Sequence, residues 1–164
     1  MNRVIVIGPS GAGKSTFARA LRDKTGLPLH YLDMVFHKPD KTTVTREEFD
    51  AKLAELLQGE KWIMDGDYNR TLETRLQACD TVFFLDYPLE VCLQGVESRR
   101  GKPREDMPWV ETEPDLEFIQ WIRDFFDIRR PKVEALLEQY REGREVHIFH
   151  SRDEADAYLA SLCL

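Results

Sequence analysis

The chain holds 164 residues, with 30 acidic against 23 basic ones, for a formal net charge of −7. At 42% hydrophobic and 32% charged residues, it is neither a disordered tail, nor a collagen-like repeat, nor a membrane span. Its size fits one domain that buries about 70% of its unfolded surface without a disulfide or metal staple.

From the amino end, residues 4–7 are a continuous β-branched run, which predicts a strand buried on both faces. A glycine-rich loop follows over 8–13, then a helix over 14–24 stopped by Gly26 and Pro28. Residues 29–32 predict a second strand ending at Asp33, and 38–43 a loop. Thr45 and Glu48 form a capping box ahead of a helix carrying Phe49, Leu53, Leu56 and Leu57. A third strand over 62–64 leads into Asp65-Gly66, a short helix over 71–78 follows, and a fourth strand spans 81–85. Residues 89–100 read as a helix, 101–113 as a loop, and 116–128 as a helix that Pro131 kinks or restarts. A fifth strand over 146–149 and a last helix capped by Ser151 complete the chain. Alternating strands and helices predict parallel βαβ units in a three-layer α/β sandwich, with no internal repeat or interdomain linker.

Composition also bounds the setting. The acid excess argues against direct nucleic-acid binding, for which a basic stripe is the usual footprint. The opening apolar run is too short for a secretory signal, and nothing approaches a membrane helix, so the expectation is a soluble cytoplasmic protein, monomeric or weakly dimeric. Cys79, Cys92 and Cys163 show no metal-like spacing and read as reduced thiols.

Gly8-Pro9-Ser10-Gly11-Ala12-Gly13-Lys14-Ser15-Thr16 fits G-x-x-x-x-G-K-[ST], placed between a predicted strand and a predicted helix. Backbone N–H groups of such a loop turn inward to surround phosphate oxygens, and the next helix adds its free amides and positive dipole end. Lys14 supplies a mobile cation for the β and γ phosphates, and Ser15 a hydroxyl for Mg²⁺. The motif implies ATP-type ligands and magnesium; it does not identify a phosphate acceptor.

The later segments resemble the adenylate kinase group of P-loop kinases, and more closely its relatives, the DNA topology modulation proteins. The resemblance rests on Leu32-Asp33, on Trp62 to Tyr68 (W-I-x-D-G-x-Y), and on Phe84 to Pro88 (F-L-D-x-P). It continues through Arg100 to Met107 (R-G-K-x-R-x-D-M), Glu117 to Ile122 (E-F-x-x-W-I) and Arg130 to Lys132 (R-P-K). It implies a P-loop NTPase fold of nucleoside-monophosphate-kinase type, with a five-stranded parallel sheet in the order 2-3-1-4-5. It also implies an acceptor-binding arm near 34–60 and a lid near 100–115. The activity implied is transfer of the γ-phosphate of Mg-ATP to a nucleotide, nucleoside or other small molecule. The alternative is an ATP-binding or ATP-hydrolysing regulatory module linked to DNA topology.

The same resemblance implies site roles. Asp65 holds the metal through water, with Asp86 as a competitor for that place. Asp33, Asp67, Tyr68, Arg70 and Arg75 contact the acceptor, although Arg75 has surface pairing with Glu73 or Asp80 as its alternative. Arg100 and Arg104, within the cluster Arg99, Arg100, Lys102 and Arg104, close the lid over the transferring phosphoryl group. Arg123 and Arg130, on the helix after the lid alongside Arg129, supply further phosphate contacts. Asp67 departs from the family pattern, and a second carboxylate there disfavours a plain nucleoside monophosphate as acceptor. His37 and His150 are weaker candidates for the acceptor and base pockets. The aromatic run Phe118, Trp121, Phe125 and Phe126 reads as core.

Overall fold

The computed structural model describes residues 1–111 and 115–162. Five strands form one parallel sheet in the order β2-β3-β1-β4-β5. They are β1 (Arg3–Ile7), β2 (Leu29–Tyr31), β3 (Trp62–Asp65), β4 (Thr81–Leu85) and β5 (Glu145–Phe149). This is the expected order. Parallel pairing demands crossovers, and helices cover both faces.

Alternation along β1 divides the core. Val4 and Val6 pack with Phe17, Leu21, Phe83, Leu85 and Phe149 on the side of α1 (Lys14–Thr25), α5 (Leu89–Arg99) and α8 (Arg152–Ser161). Ile5 and Ile7 pack with Phe49, Leu53, Leu72, Phe84, Val133 and Leu137 on the opposite side. That second layer comprises α2 (Leu32–Phe36), α3 (Arg46–Leu57), α4 (Leu72–Ala78) and α7 (Arg130–Gln139).

Three local outcomes differ from the sequence expectations. The second strand stops at Tyr31, and Leu32–Phe36 turns into the short helix α2, closed by the His37 amide donating to Asp33 O at 2.9 Å. A 3₁₀ turn, Asn69–Thr71, precedes α4. The helix after the lid is broken in the middle: α6 (Leu116–Asp124) passes into a π-helical turn, Phe125–Arg129, and only then into α7. Within that turn the Arg130 amide reaches back five residues to Phe125 O. Pro131 lies in the first turn of α7 and has no amide to continue the upstream ladder. The wider turn shifts the angular register of every side chain after it.

Caps follow the sequence signals. Thr45 and Ser151 accept from the amides of Glu48 and Glu154. Gly26, at φ 74°, ends α1 by donating to Arg22 O at 2.7 Å. Cys79 and Cys92 are free and buried, while Cys163 lies outside the described residues. No helix among the described residues is long and apolar enough to cross a membrane.

Candidate active site

The glycine-rich loop runs from the carboxyl end of β1 to the start of α1. Gly11 has φ 85°, and a Cβ there would stand 1.9 Å from Cys92 O on α5. A Cβ on Gly95 of α5 would stand 2.0 Å from Gly11 O. Loop and helix therefore touch backbone to backbone, and two glycines make that contact possible. The residues from Ser10 to Thr16 line a cleft of about 1330 Å³. Lys14 curls over the loop and donates from Nζ to Pro9 O at 3.1 Å.

Asp65 ends β3 and pairs in register with Val6 of β1, so its carboxylate sits beside this loop. Ser15 Oγ donates to Asp65 Oδ2 at 2.5 Å. Burial pushes the Asp65 carboxyl up to about 6, while Lys14 and the Ser15 hydroxyl pull it back. A hydroxyl and a carboxylate side by side suit Mg²⁺, which keeps several waters and phosphate oxygens and needs few protein ligands. Among the described residues no cluster of three or more His, Cys, Asp or Glu is gathered for a metal. Asp86, the competing carboxylate, is outside this cleft. It is buried under Arg130, which donates to Oδ2 from Nη2 at 2.6 Å, with His150 Nδ1 3.7 Å away.

Also on the cleft wall, Tyr68 Oη donates to Asp33 Oδ1 at 2.5 Å, joining the segment after β3 to α2. The rings of Phe36 and Phe49, at 5.3 and 5.2 Å, fix the Tyr68 ring. Burial beside Asp33 raises the Tyr68 phenol well above its ordinary value, so it stays a donor at neutral pH. His37 meets Trp109 edge-on at 5.0 Å, and burial lowers its pKa. Asp67 also lines the cleft and is only 8% exposed. Burial pushes its carboxyl up to about 6 against the pull of Lys14, Arg75 and Arg129.

The two arginines after β3 point elsewhere. Arg75 is fully buried and does not line the cleft. It donates to Gly66 O at 2.9 Å, Tyr68 O at 2.8 Å and Thr71 Oγ1 at 3.2 Å. Neither Glu73 nor Asp80 holds it; it anchors the segment that carries Asp67 and Tyr68. Burial lowers it to about 10, so it remains charged at neutral pH. Arg70 grips Asp50 of α3 in a two-pronged contact, at 3.1 and 2.8 Å, outside the cleft.

The residues expected to form a lid, Arg99, Arg100, Lys102 and Arg104, all line the cleft. Arg104 lies 3.8 Å from Asp106 and 3.7 Å from Glu111, while Arg100 pairs with Glu97. Burial and the neighbouring Arg104 lower the Arg99 pKa. Glu105 fastens this segment to the body: Tyr31 Oη donates to it at 2.5 Å and Arg22 Nη1 at 3.4 Å. The part of the lid at 112–114 lies outside the described residues.

Beyond the lid, the π-helical turn brings Arg129, rather than Arg123 or Arg130, to the cleft. Its guanidinium stacks 3.8 Å from the Trp121 ring centroid and donates to Trp121 O at 2.7 Å. Trp121 is 41% exposed and forms the outer wall of this arrangement instead of core. Arg123 is exposed on α6, and Arg130 is committed to Asp86. Asn69 and Trp109 are among the lining residues that motif spacing leaves out, and Arg129 enters where its neighbours Arg123 and Arg130 were expected. The Arg129-Arg130-Pro131 string was the available signal for Arg129, since proline frees the ladder just upstream.

No family model matches the chain. Over 94 residues it is 31% identical to the adenylate kinase of Thermotoga neapolitana, covering 56% of this chain and 42% of that one. Over 112 residues it is 35% identical to the adenylate kinase of Mycobacterium leprae, covering 60% and 57%. The chain thus spans about half the length of the curated relatives it matches. Among solved structures, shikimate kinase from Acinetobacter baumannii in complex with shikimate superposes with a TM-score of 0.63 at 22% identity, over 97% of this chain and 91% of that one. Shikimate kinase from Aquifex aeolicus gives 0.60 at 17% identity, over 96% and 91%. The architecture is that of the three-layer α/β P-loop kinases.

Proposed function

We propose that the protein is a P-loop phosphotransferase that moves the γ-phosphoryl group of Mg-ATP to a small-molecule acceptor. The observation that carries this reading is one cleft shared by a phosphate loop and a carboxylate–phenol pair. The phosphate loop with Ser15 and Asp65, the Asp33–Tyr68 pair and Arg99, Arg100 and Arg104 all line it. The adenylate kinase likeness over part of the chain supports it.

In this reading, amides from Gly11 to Ser15 hold the β and γ phosphates and Lys14 leaves Pro9 O to meet them. Ser15 and Asp65 would hold Mg²⁺, which would supply positive charge against that developing on the transferring phosphoryl group. Arg99, Arg100, Arg104 and Arg129 face the space where the equatorial oxygens gather negative charge. Asp33, oriented by Tyr68, takes the proton of the attacking acceptor group. Glu105, bonded to Arg22 of α1 and Tyr31 of β2, supports a segment held against the body, which would keep water from the transfer.

The deciding experiment measures ADP formation from ATP and Mg²⁺ with and without nucleosides, nucleotides and sugars. Strong acceptor dependence is the expected result. Acceptor-independent hydrolysis stimulated by DNA would favour the regulatory module that the resemblance to DNA topology modulation proteins suggests.

A further inference from the structure

Three guanidinium nitrogens on the cleft wall are buried without a hydrogen-bond partner among the described residues: Nη1 of Arg19, Nε of Arg99 and Nε of Arg129. They come from three separate elements, α1, the end of α5 and the π-helical turn. A buried charged donor left unpaired is costly, and an anionic ligand removes that cost. Asp67 Oδ1, His37 Nδ1 and the Asn69 amide are unpaired on the same wall, so the unpaired set alone does not choose a ligand. The position of Arg19 does.

Arg19 lies one turn past Ser15 and Thr16 on α1, on the stripe that they share. Side chains on a helix lean toward its amino end, so an arginine here reaches back across that turn. Its Nη2 donates to Thr16 Oγ1 at 3.3 Å. The helical ladder opens with the Phe17 amide donating to Gly13 O at 3.0 Å. The amides of Lys14, Ser15 and Thr16 therefore stand ahead of the ladder, at the positive end of α1. Arg19 adds a full charge where the phosphate loop gathers its amides. On its other side are Tyr31 and Glu105, with Arg19 Nε 3.9 Å from Glu105 Oε2. Glu105 has closer partners in Tyr31 Oη at 2.5 Å and Arg22 Nη1 at 3.4 Å. A long, partly exposed ion pair of this kind does not use up the charge of Arg19.

We infer that Arg19 is a phosphate-binding residue for the donor nucleotide, with Nη1 donating to a phosphate oxygen at the head of α1 while Nη2 keeps to Thr16. The inference rests on the phosphotransferase reading above and adds to the loop a residue that lies outside the phosphate-loop motif. The planar fork of a guanidinium serves a hydroxyl and a phosphate oxygen at once, a geometry that the point charge of a lysine does not reproduce. With Glu105 on its far side, Arg19 also joins the nucleotide to the segment expected to form a lid.

The test is calorimetric titration of Mg-ATP, and separately of tripolyphosphate with Mg²⁺, into the whole chain and its Arg19→Gln, Arg19→Lys and Glu105→Gln variants, with melting curves to confirm folding. Arg19→Gln is expected to weaken both ligands by about tenfold or more. Glu105→Gln is expected to change either by less than about threefold, since it removes only the loose pair on the far side. A loss below about threefold in folded Arg19→Gln overturns the inference. So does a loss for Mg-ATP without one for tripolyphosphate, which would place Arg19 at the nucleoside. A loss as large in Glu105→Gln also overturns it, since Arg19 would then act only as a prop for the lid segment. Arg19→Lys keeps the stem and the charge, and it carries the test should Arg19→Gln not fold: a loss of about threefold or more is expected, and none overturns the inference. A wild-type chain that binds neither ligand overturns the phosphate-loop reading itself.

Discussion

Replacing Asp67 with asparagine in ligand-free protein is expected to raise the stability of the fold at neutral pH. Asp67 is 8% exposed, and burial lifts its carboxyl from 3.8 to about 6. A carboxyl whose folded pKa is raised contributes stability while it is protonated, below its unfolded value. That contribution is lost as pH rises through the window from 3.8 to about 6. A shift of about two units, at about 1.4 kcal/mol each, puts the cost of the buried anion near 3 kcal/mol above that window. Asparagine has nearly the same shape and does not ionise. For a chain of this size the gain corresponds to a rise in Tm of roughly 5–10 °C. Urea and thermal unfolding in the presence of EDTA, at pH 7.5 and at pH 4, measure it. The gain is expected at pH 7.5 and shrinks to below about 1 kcal/mol at pH 4. Equal stabilities at pH 7.5, or a gain that is the same at both pH values, would refute the reasoning. An ionised group kept at such a cost belongs to the sites where stability is given up for function.

Two neighbouring arginines separate catalysis from structure. Arg129→Ala is expected to lower kcat by about a hundredfold or more in the acceptor-dependent assay, because Arg129 lines the cleft where the proposed transfer would take place. Arg130→Ala instead uncovers the buried Asp86 carboxylate and is expected to cost about 1–3 kcal/mol in urea unfolding while kcat stays within a few-fold. The reverse pattern would place the register of the π-helical turn one residue out. Gly95→Ala drives a methyl to 2.0 Å from Gly11 O. It is expected to weaken Mg-ATP binding by calorimetry and to destabilise the fold by about 1–3 kcal/mol, as overpacked sites do.

The amino-terminal third shows why part of the molecule was readable in advance. β1, the phosphate loop and α1 follow one another within the first 25 residues, and each is fixed by local chemistry: β-branched packing, glycine conformations and a free helix end. The parallel build followed from the alternation of strands and helices, and the strand order from the resemblance. Asp65 and Asp33 could be placed on the cleft because strand ends and their loops define where a cleft opens in such sheets, whereas Tyr68, Arg100 and Arg104 were placed there by the resemblance.

What escaped the sequence depends on distant partners or on helical phase. Arg75 was read as a substrate residue because an arginine after β3 has that role in the related kinases. The 3₁₀ turn ahead of α4 instead aims it under the loop, where three oxygens await it. Arg70 is claimed by Asp50, twenty residues earlier on the arm. Arg129 and Arg130 are adjacent, and only the Arg130 amide bonding five residues back to Phe125 O decides which one enters the cleft. Trp121 carries an apolar pattern yet serves as the platform for Arg129.

The central claim is that this loop grips a nucleoside triphosphate, and calorimetric titration of Mg-ATP into the wild-type chain and a Lys14→Met variant tests it most directly. The account predicts measurable binding to the wild type and a loss of about a hundredfold or more in the variant, whose melting curve stays close to wild type because Lys14 packs in neither core layer. Heat of binding undiminished by the substitution, or none from the wild type, would contradict it.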